Sequence, residues 1–309
     1  MNPIWLDFLN TLAFSEQKTE RAIYAVTGFK ILQVSGADAA QFLQGQITCN
    51  IKELQDNNSF FAALCNPKGR VISTFLLLKS TDAFLLILPA ELFEKVKTTL
   101  QKYIMRAKVQ LQNVSELVCL TGMACDDKTA AQLTLPTLNF SMQNQWVKLA
   151  TTYYLHIASV TESLAYCASL FTQGFLAKNA AAWQVVNINV GFAWLTQQSS
   201  EVYIPQMLNL DKLAGISFTK GCYTGQEIIA RTHYLGQAKR EMFLAQIAGD
   251  FIPPAELPEI LAANGQTVGQ VLSLQNNDLL AILQSNAVTE TGLTLNDAHR
   301  TSLKIIPFI

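Results

Sequence analysis

Residues 219–231 read TKGCYTGQEIIAR and form the most distinctive stretch of the 309-residue chain. Glycine has no Cβ, so Gly221 and Gly225 can adopt positive φ and let the backbone turn sharply around Cys222. The following QEIIAR is compatible with a helical turn or with an extended apolar run. The stretch therefore predicts a cysteine at a tight turn that leads into a regular element.

Two interpretations of Cys222 are open on this local physics. A thiol near the positive end of a helix, with Lys220 beside it, would favour the thiolate and be the most reactive cysteine of the chain. Glu227 opposes that effect unless it pairs with Arg231, four residues on. Alternatively, Cys222 is a small buried residue in a tight turn, as is usual for a cysteine flanked by glycines.

Composition limits the classes of function to consider. The chain is 50% hydrophobic and 15% charged, which predicts a compact globular protein of two or three domains. Its 22 basic and 23 acidic residues leave a formal net charge of -1. Because this balance provides no global field for nucleic acid or an anionic membrane, we expect no direct RNA contact. No apolar stretch approaches the roughly 20 residues of a spanning helix, and the N-terminus lacks the basic region of a secretory signal.

The cysteines and histidines are scattered along the chain. No spacing matches a zinc-type or cluster-ligating motif, so we expect no metal site. Distant cysteines in a chain that can bury its own core fit a reducing cytoplasm better than a disulfide framework. We interpret all of them as free thiols: Cys49, Cys65, Cys119, Cys125, Cys167 and Cys222.

The order of apolar runs predicts an α+β fold. FKILQV (29–34) is typical of a strand and AAQFLQGQI (39–47) of a helix, and FFAALCNPKGRVISTFLLLK (60–79) contains two strands around an Asn-Pro-Lys-Gly turn. A further strand, FLLILPA, and a helix, ELFEKVKTTLQKYI, complete this first stretch. The second stretch runs from Val114 to about Val190, with a strand (LVCLTG), a helix (DKTAAQL), a hairpin (QWVKLA and YYLHIASV) and helical segments from Thr161 and Lys178.

The pattern changes from Lys239 onward to short strands punctuated by Gly, Asn and Pro. This change predicts a small C-terminal β domain. We expect a core of residues 1–237, made of two interleaved α+β subdomains of roughly 1–113 and 114–237. A β-barrel-like domain of residues 238–309 would follow it.

Three stretches together resemble the YgfZ family, folate-binding relatives of the aminomethyltransferase (T-protein) of the glycine cleavage system. They are IPQMLNLDKLAGISFTKGCYTGQEIIAR (204–231), FLQGQIT (42–48) and CNPKGRVIS (65–73). The K-G-C-Y-x-G-Q-E block is the specific signature of the family, and its cysteine, needed for function, corresponds to Cys222. The other matching positions are Lys220, Gly221, Tyr223, Gly225, Gln226 and Glu227. The resemblance implies a three-domain, T-protein-like α+β fold with a C-terminal β-barrel.

The resemblance also implies a cofactor, tetrahydrofolate or a one-carbon derivative, in a central channel. Family members place aromatic rings against the folate at positions that correspond to Phe29 and Trp183, and a flat pterin stacks well on flat rings. On the residues alone, each of the two would be interpreted as a core residue. Asn189 stands where relatives often carry a glutamate that contacts the pterin. An amide can still bond the pterin, but without charge assistance.

A local basic patch follows the signature. It consists of Arg231, His233, Lys239 and Arg240. The patch is either a solvated face or an anion site for a folate glutamate tail or an RNA phosphate.

Two classes of function follow from the resemblance. In the first, the protein is an accessory factor that binds folate and uses Cys222 to support iron–sulfur cluster assembly or repair in client enzymes. Its clients would include radical enzymes that thiolate tRNA, so that tRNA modification is a downstream effect. In the second, it is a folate-dependent one-carbon transferase with Cys222 as nucleophile. T-proteins have a catalytic aspartate in the stretch that corresponds to residues 69–74, where Ser73 and Thr74 stand here and no carboxylate is present. This departure disfavours aminomethyl transfer.

Overall fold

The computed structural model describes residues 1–55, 59–80, 82–132, 144–236, 238–249, 251, 256–287 and 292–308. The chain divides into two compact units, each assembled from several segments. Unit 1 contains Met1–Gln44, Asn50–Phe60 and Phe75–Trp183, and unit 2 contains Gly45–Cys49, Phe61–Thr74 and Gln184–Ile309. The expected boundary after residue 237 falls on a residue outside the described ranges, and the division at 113, 237 and 309 stays a prediction.

The helices and strands alternate irregularly along the chain, as expected for an α+β protein. The helices are α1 (Pro3–Thr11), α2 (Ala39–Gln44), α3 (Phe93–Ile104), α4 (Asp127–Gln132), α5 (Val160–Thr172), α6 (Ala180–Val190) and α7 (Gln226–Leu235). The strands are β1 (Ala22–Ala25), β2 (Phe29–Ser35), β3 (Ser59–Cys65), β4 (Val71–Ser80), β5 (Ala83–Pro89), β6 (Gln110–Asn113), β7 (Cys119–Ala124), β8 (Asn144–Lys148), β9 (Tyr153–Ala158), β10 (Leu176–Lys178), β11 (Arg240–Ile247), β12 (Glu259–Leu261), β13 (Thr267–Gln275), β14 (Asp278–Gln284), β15 (Thr294–Leu295) and β16 (Leu303–Ile306).

Unit 1 contains a five-stranded sheet in the order β10-β1-β7-β9-β8. Its apolar face packs against α1 and α5 through a core that includes Trp5, Met123 and Cys167. Helix α5 begins with a capping box, in which Ser159 and Glu162 satisfy each other's backbone N–H groups. This cap explains why a helix begins where the sequence predicts one.

The predicted strands around the Asn-Pro-Lys-Gly turn belong to a second five-stranded sheet, in the order β3-β4-β5-β2-β6. All seven residues of β5 are buried, as is typical of a strand covered on both faces. The Asn66 side chain accepts hydrogen bonds from the backbone N–H groups of Lys68 and Arg70, which fixes the turn between β3 and β4. Strands β3 and β4 each contribute residues to both units.

The C-terminal part of unit 2 is a six-stranded antiparallel sheet in the order β15-β12-β13-β14-β11-β16. Register shifts at Ile260/Leu261 and Val271/Ser273 bend its strands. The sheet curls into a half-barrel. The expectation of an α+β fold with a C-terminal barrel-like sheet is therefore confirmed.

Some predicted boundaries are wrong, each for a local reason. The helix predicted over 39–47 ends at Gln44, because Ile47 forms an antiparallel bridge with Leu64 of β3. The helix predicted from Lys178 begins at Ala180, because Lys178 ends β10, which pairs with β1. The last residue of the helix predicted over 127–133 lies outside the described residues.

Several short elements were not predicted from the sequence. They are α1, β1, β6, β10, β12 and β15. Among the helices that the structure describes, none is long and apolar enough to span a bilayer.

Candidate functional site

The signature loop leads directly into α7. Gly225 is the N-cap residue of this helix and has φ 82°, in the left-handed region. A Cβ at Gly225 would lie 2.6 Å from the carbonyl oxygen of Asn66, so no larger residue fits without displacing the Asn-Pro-Lys-Gly turn. Gly221 does not use positive φ, and a Cβ there would meet no atom within 4 Å. The turn around Cys222 thus depends on Gly225.

Within unit 2, the signature loop contacts residues of the other two stretches on which the family resemblance rests. The backbone N–H of Thr224 donates to the carbonyl of Gly45 at 3.2 Å, and its hydroxyl donates to the side chain of Gln46 at 3.3 Å. On the other side, Gly225 contacts the turn that contains Asn66 and Gly69. The loop is therefore held by segments that lie more than 150 residues earlier in the sequence.

Lys220 provides a second attachment of the loop. Its ammonium donates to the carbonyl oxygens of Ile47 at 2.7 Å and Cys49 at 2.8 Å and lies 4.6 Å from the ring centroid of Tyr223. The side chain is 8% exposed, and this burial lowers the pKa of Lys220 from 10.5 to about 8. At neutral pH the ammonium is still mostly protonated, and two carbonyl dipoles and a ring face stabilise its charge.

In one of the two interpretations of Cys222, Lys220 acts as a cation on the thiol. In the described part of the chain its hydrogen bonds go to Ile47 and Cys49 and none goes to Cys222. Lys220 therefore positions the loop, and its charge interacts with backbone carbonyls.

Tyr223 fills the space beneath the loop. Its ring is buried, and its hydroxyl has no hydrogen-bond partner among the described residues. Burial also raises the pKa of Tyr223 well above its ordinary value, so the hydroxyl stays protonated. Within the signature, Gln226 accepts a hydrogen bond from the Tyr223 backbone N–H.

Cys222 differs from the other cysteines in exposure. It is exposed, whereas the remaining five are buried, and all six are free thiols as expected. Burial raises the pKa of Cys119 and Cys167 to about 12 and that of Cys65 further still. The interpretation of Cys222 as a small buried turn residue is therefore wrong.

Helix α7 carries two further residues of the expected site. Glu227 and Arg231 are both exposed, and within the described ranges no ion pair joins them. The condition under which Glu227 would not oppose a thiolate at Cys222 is thus not met among these residues. Arg231 is exposed, and so is the basic residue His233 two positions later in α7.

The two aromatic residues expected against a pterin belong to unit 1. Phe29 is half-buried and lines a cavity of about 10 Å³, room for no more than one water molecule. Trp183 is 3% exposed. Its ring packs so closely on Gly122 that a Cβ there would lie 2.4 Å from it, and Tyr24 covers it at a tilted angle with 5.5 Å between ring centroids.

The remaining expected positions lie in unit 2. Asn189 is half-buried near the end of α6. Ser73 and Thr74, at the position of the T-protein aspartate, are fully buried. Their hydroxyls donate to backbone carbonyls, that of Thr74 to Ala193 at 2.6 Å. Neither of these two residues has an acidic side chain.

Sequence reasoning missed the contribution of Thr224. This residue occupies the variable position of the signature, yet both its backbone and its hydroxyl bond the 45–46 segment. The Gln-Gly-Gln word at 44–46 was the available signal. In the described residues, no group of three His, Cys, Asp or Glu side chains is arranged to hold a metal ion.

The chain is similar in sequence to a known domain family and to curated proteins. Residues 14–127 match the family model described as the GCVT N-terminal domain. The "tRNA-modifying protein YgfZ" of Colwellia psychrerythraea is 29% identical over 298 residues, 90% of this chain and 89% of the relative. The protein of the same name from Escherichia coli is 32% identical over 251 residues, 78% of this chain and 77% of the relative.

A solved structure shows the same fold. The glycine cleavage system aminomethyltransferase T from Bartonella henselae superposes with a TM-score of 0.70 at 14% identity, over 99% of this chain and 89% of that chain. The expected T-protein-like fold is confirmed by this likeness.

Proposed function

The chain belongs to the YgfZ family, and from that premise we propose that it is a folate-binding accessory factor that supports iron–sulfur cluster assembly or repair through Cys222. Its client enzymes include radical enzymes that thiolate tRNA. The tRNA modification in the name of its relatives is then a downstream effect of cluster maintenance. The family relationship and the display of one thiol support this proposal.

The observation that carries the proposal is the contrast among the cysteines. Cys222 is exposed on a loop anchored by Lys220 and Thr224, whereas the other five thiols are buried. A thiolate is the reactive form in disulfide exchange, in sulfur transfer and in iron ligation. Each of these reactions therefore begins with loss of the Cys222 proton, and each needs the thiol to reach a partner molecule.

Tetrahydrofolate or a one-carbon derivative is the proposed cofactor. The residue types fit its chemistry: the rings of Phe29 and Trp183 suit the pterin face, the amide of Asn189 suits the pterin edge, and Arg231 suits a carboxylate. Phe29, Asn189 and Arg231 retain accessible surface. Trp183 does not, so stacking on its ring requires Tyr24 or its other neighbours to move. When bound, folate would supply a one-carbon carrier or a redox-active pterin.

One-carbon transfer by the protein itself is the disfavoured alternative. The hydroxyls of Ser73 and Thr74 are bonded to backbone carbonyls and offer neither a negative charge nor a general base. The carboxylate that orients the folate amine in T-protein therefore has no counterpart at this position.

Complementation of a strain that lacks the corresponding protein tests the proposal. Cells carrying Cys222→Ser should accumulate much less thiolated tRNA nucleoside than cells carrying the parent, at equal protein level. Cys125→Ala, which removes a buried thiol, is the matched control and should complement fully. Full complementation by Cys222→Ser would overturn the assignment of the thiol.

A further inference from the structure

Helix α7 leaves three large apolar side chains exposed, one in its first turn and two at its C-terminal end. Ile228 is 37% exposed, Tyr234 64% and Leu235 82%, and we call these three side chains the α7 surface. The helix is fixed from its other side, because Ile229 is fully buried and its carbonyl accepts a hydrogen bond from Gln206 at 2.7 Å. The exposed face is therefore held in place, although globular proteins seldom leave clustered apolar side chains open to water.

Tyr234 packs against an aromatic cluster. Phe218 and His233 stack with 3.7 Å between ring centroids and an interplanar angle of 13°. Tyr234 meets both rings edge-on, at 4.8 Å from His233 and 6.3 Å from Phe218. A side chain ordered in this way loses little conformational entropy on binding, and tyrosine is enriched among the residues that dominate protein interfaces.

Exposed cations lie on α7 and directly after it. Arg231 and His233 are exposed on the helix itself, and Lys239 and Arg240 are exposed just beyond its end. Arg231 lies three residues from Tyr234 and four from Leu235, so it is their neighbour on the helix, and the His233 ring lies 4.8 Å from that of Tyr234. Lys239 follows Leu235 by four residue steps, roughly 14 Å at most, and we call these four basic residues the cationic rim. Glu227, the carboxylate of α7, lies in the first turn next to Ile228.

We propose that the α7 surface docks a protein partner that offers an apolar socket rimmed by carboxylates. An apolar centre with a charged rim is the usual anatomy of a protein interface. Leu235 and Ile228 are aliphatic and provide no stacking platform for bases, which favours a protein over RNA as the occupant. The cationic rim selects an acidic partner by charge complementarity.

The place of this surface links it to Cys222. Helix α7 begins at Gln226, four residues after the thiol, and the loop between them is anchored. A partner seated on α7 therefore contacts the helix that directly follows the Cys222 loop. The inference rests on the proposed function in one respect, that this partner is the cluster-bearing client enzyme.

Binding to a purified [4Fe–4S] radical enzyme that thiolates tRNA tests the proposal, with the full-length protein immobilised for interferometry. The double variant Tyr234→Ala/Leu235→Ser should bind at least about tenfold more weakly than the parent. Lys239→Glu should also weaken binding and reduce its salt dependence. Met105→Ser, which alters a residue of unit 1 that is 90% exposed, is the control and should bind as the parent does. The rate at which Cys222 is alkylated should be the same in all four proteins.

Three results would overturn the docking surface: no binding by the parent, unchanged affinity of the double variant, or binding of free tRNA that depends on Tyr234 and Leu235. Cluster repair measured with the same proteins separates this inference from the proposed function. If Cys222→Ser loses repair while the double variant keeps both affinity and repair, the docking surface is wrong and the function stands. If Cys222→Ser still repairs clusters, the proposed function is wrong. The affinities of the parent and of the double variant for the radical enzyme then still test the docking surface.

Discussion

The ammonium of Lys220 lies 2.8 Å from the carbonyl oxygen of Cys49, a residue 171 positions earlier in the chain. Together with the bond to Ile47, this contact fastens the loop that displays Cys222 to a segment that follows α2. The thiol and its anchor are only two residues apart in sequence, yet one is exposed and the other is buried. The geometry thus separates the reactive group from the group that positions it.

Replacement of this anchor should loosen the loop. Lys220→Met keeps much of the side-chain volume but leaves the Ile47 and Cys49 carbonyls without their donor, at a cost of about 1–3 kcal/mol in the free energy of unfolding. Urea denaturation measures the loss. An unchanged midpoint would mean that the two bonds contribute nothing to stability.

The stability difference between the parent and Lys220→Met should depend on pH. The pKa of Lys220 is about 8 in the folded protein and near its ordinary value of 10.5 when unfolded. Between these values the unfolded chain binds more protons, so the contribution of Lys220 to stability rises as pH increases from 8 to 10.5. The difference in unfolding free energy, parent minus Lys220→Met, should grow over this window. A flat difference would contradict the burial of a charged ammonium.

Two glycines of the signature should respond differently to alanine. Gly225→Ala forces a Cβ to 2.6 Å from the Asn66 carbonyl at a φ of 82°, and should cost more than about 1 kcal/mol of stability. Gly221→Ala places its Cβ in open space and should be nearly neutral. Thermal melts of the two variants measure the contrast, and equal effects would contradict the geometry of the loop.

Alkylation at neutral pH should label Cys222 first. The other five thiols are buried, and burial raises the pKa of Cys119 and Cys167 to about 12, so their thiolate forms are scarce as well as inaccessible. Peptide mass spectrometry after a short iodoacetamide pulse reads out the order. Faster labelling of any buried cysteine would contradict the described fold around it.

Folate binding should depend on the half-buried amide of Asn189 and on the buried indole of Trp183. Calorimetric titration with tetrahydrofolate should show weaker binding for Trp183→Ala than for the parent, because a ring face is lost. Asn189→Glu should bind about fivefold more tightly, because a hydrogen bond to a charged group is stronger than one to an amide. Equal affinities for all three proteins would place the folate elsewhere.

The strands and the turn around Cys222 could be predicted because each depends on residues that are close together in the sequence. The Asn-Pro-Lys-Gly turn and the alternating apolar runs specify the strands and the turn between them, whereas QEIIAR was compatible with both a helix and an extended run. The direction of the Lys220 side chain could not be predicted, since its acceptors at Ile47 and Cys49 come from a distant segment. For the same reason the close packing of Trp183 on Gly122 escaped sequence reasoning.

The exposure of Tyr234 and Leu235 could not be predicted from the sequence either. Apolar residues on a helix predict a buried face, and only the tertiary structure shows that Ile229 is buried while its neighbours along the helix remain open. The T-protein aspartate, by contrast, could be seen to be missing from the sequence at Ser73 and Thr74, and the structure adds that both hydroxyls are committed to backbone carbonyls.

Reactivation of a damaged [4Fe–4S] radical enzyme by the purified protein tests the central claim most directly. With iron, sulfide, a thiol reductant and tetrahydrofolate supplied, the parent should restore the cluster absorbance and the activity of the enzyme faster than the reagents alone. Cys222→Ser should restore them no faster than the reagents, while Cys125→Ala should match the parent. Equal reactivation by Cys222→Ser and the parent would contradict the role of the exposed thiol.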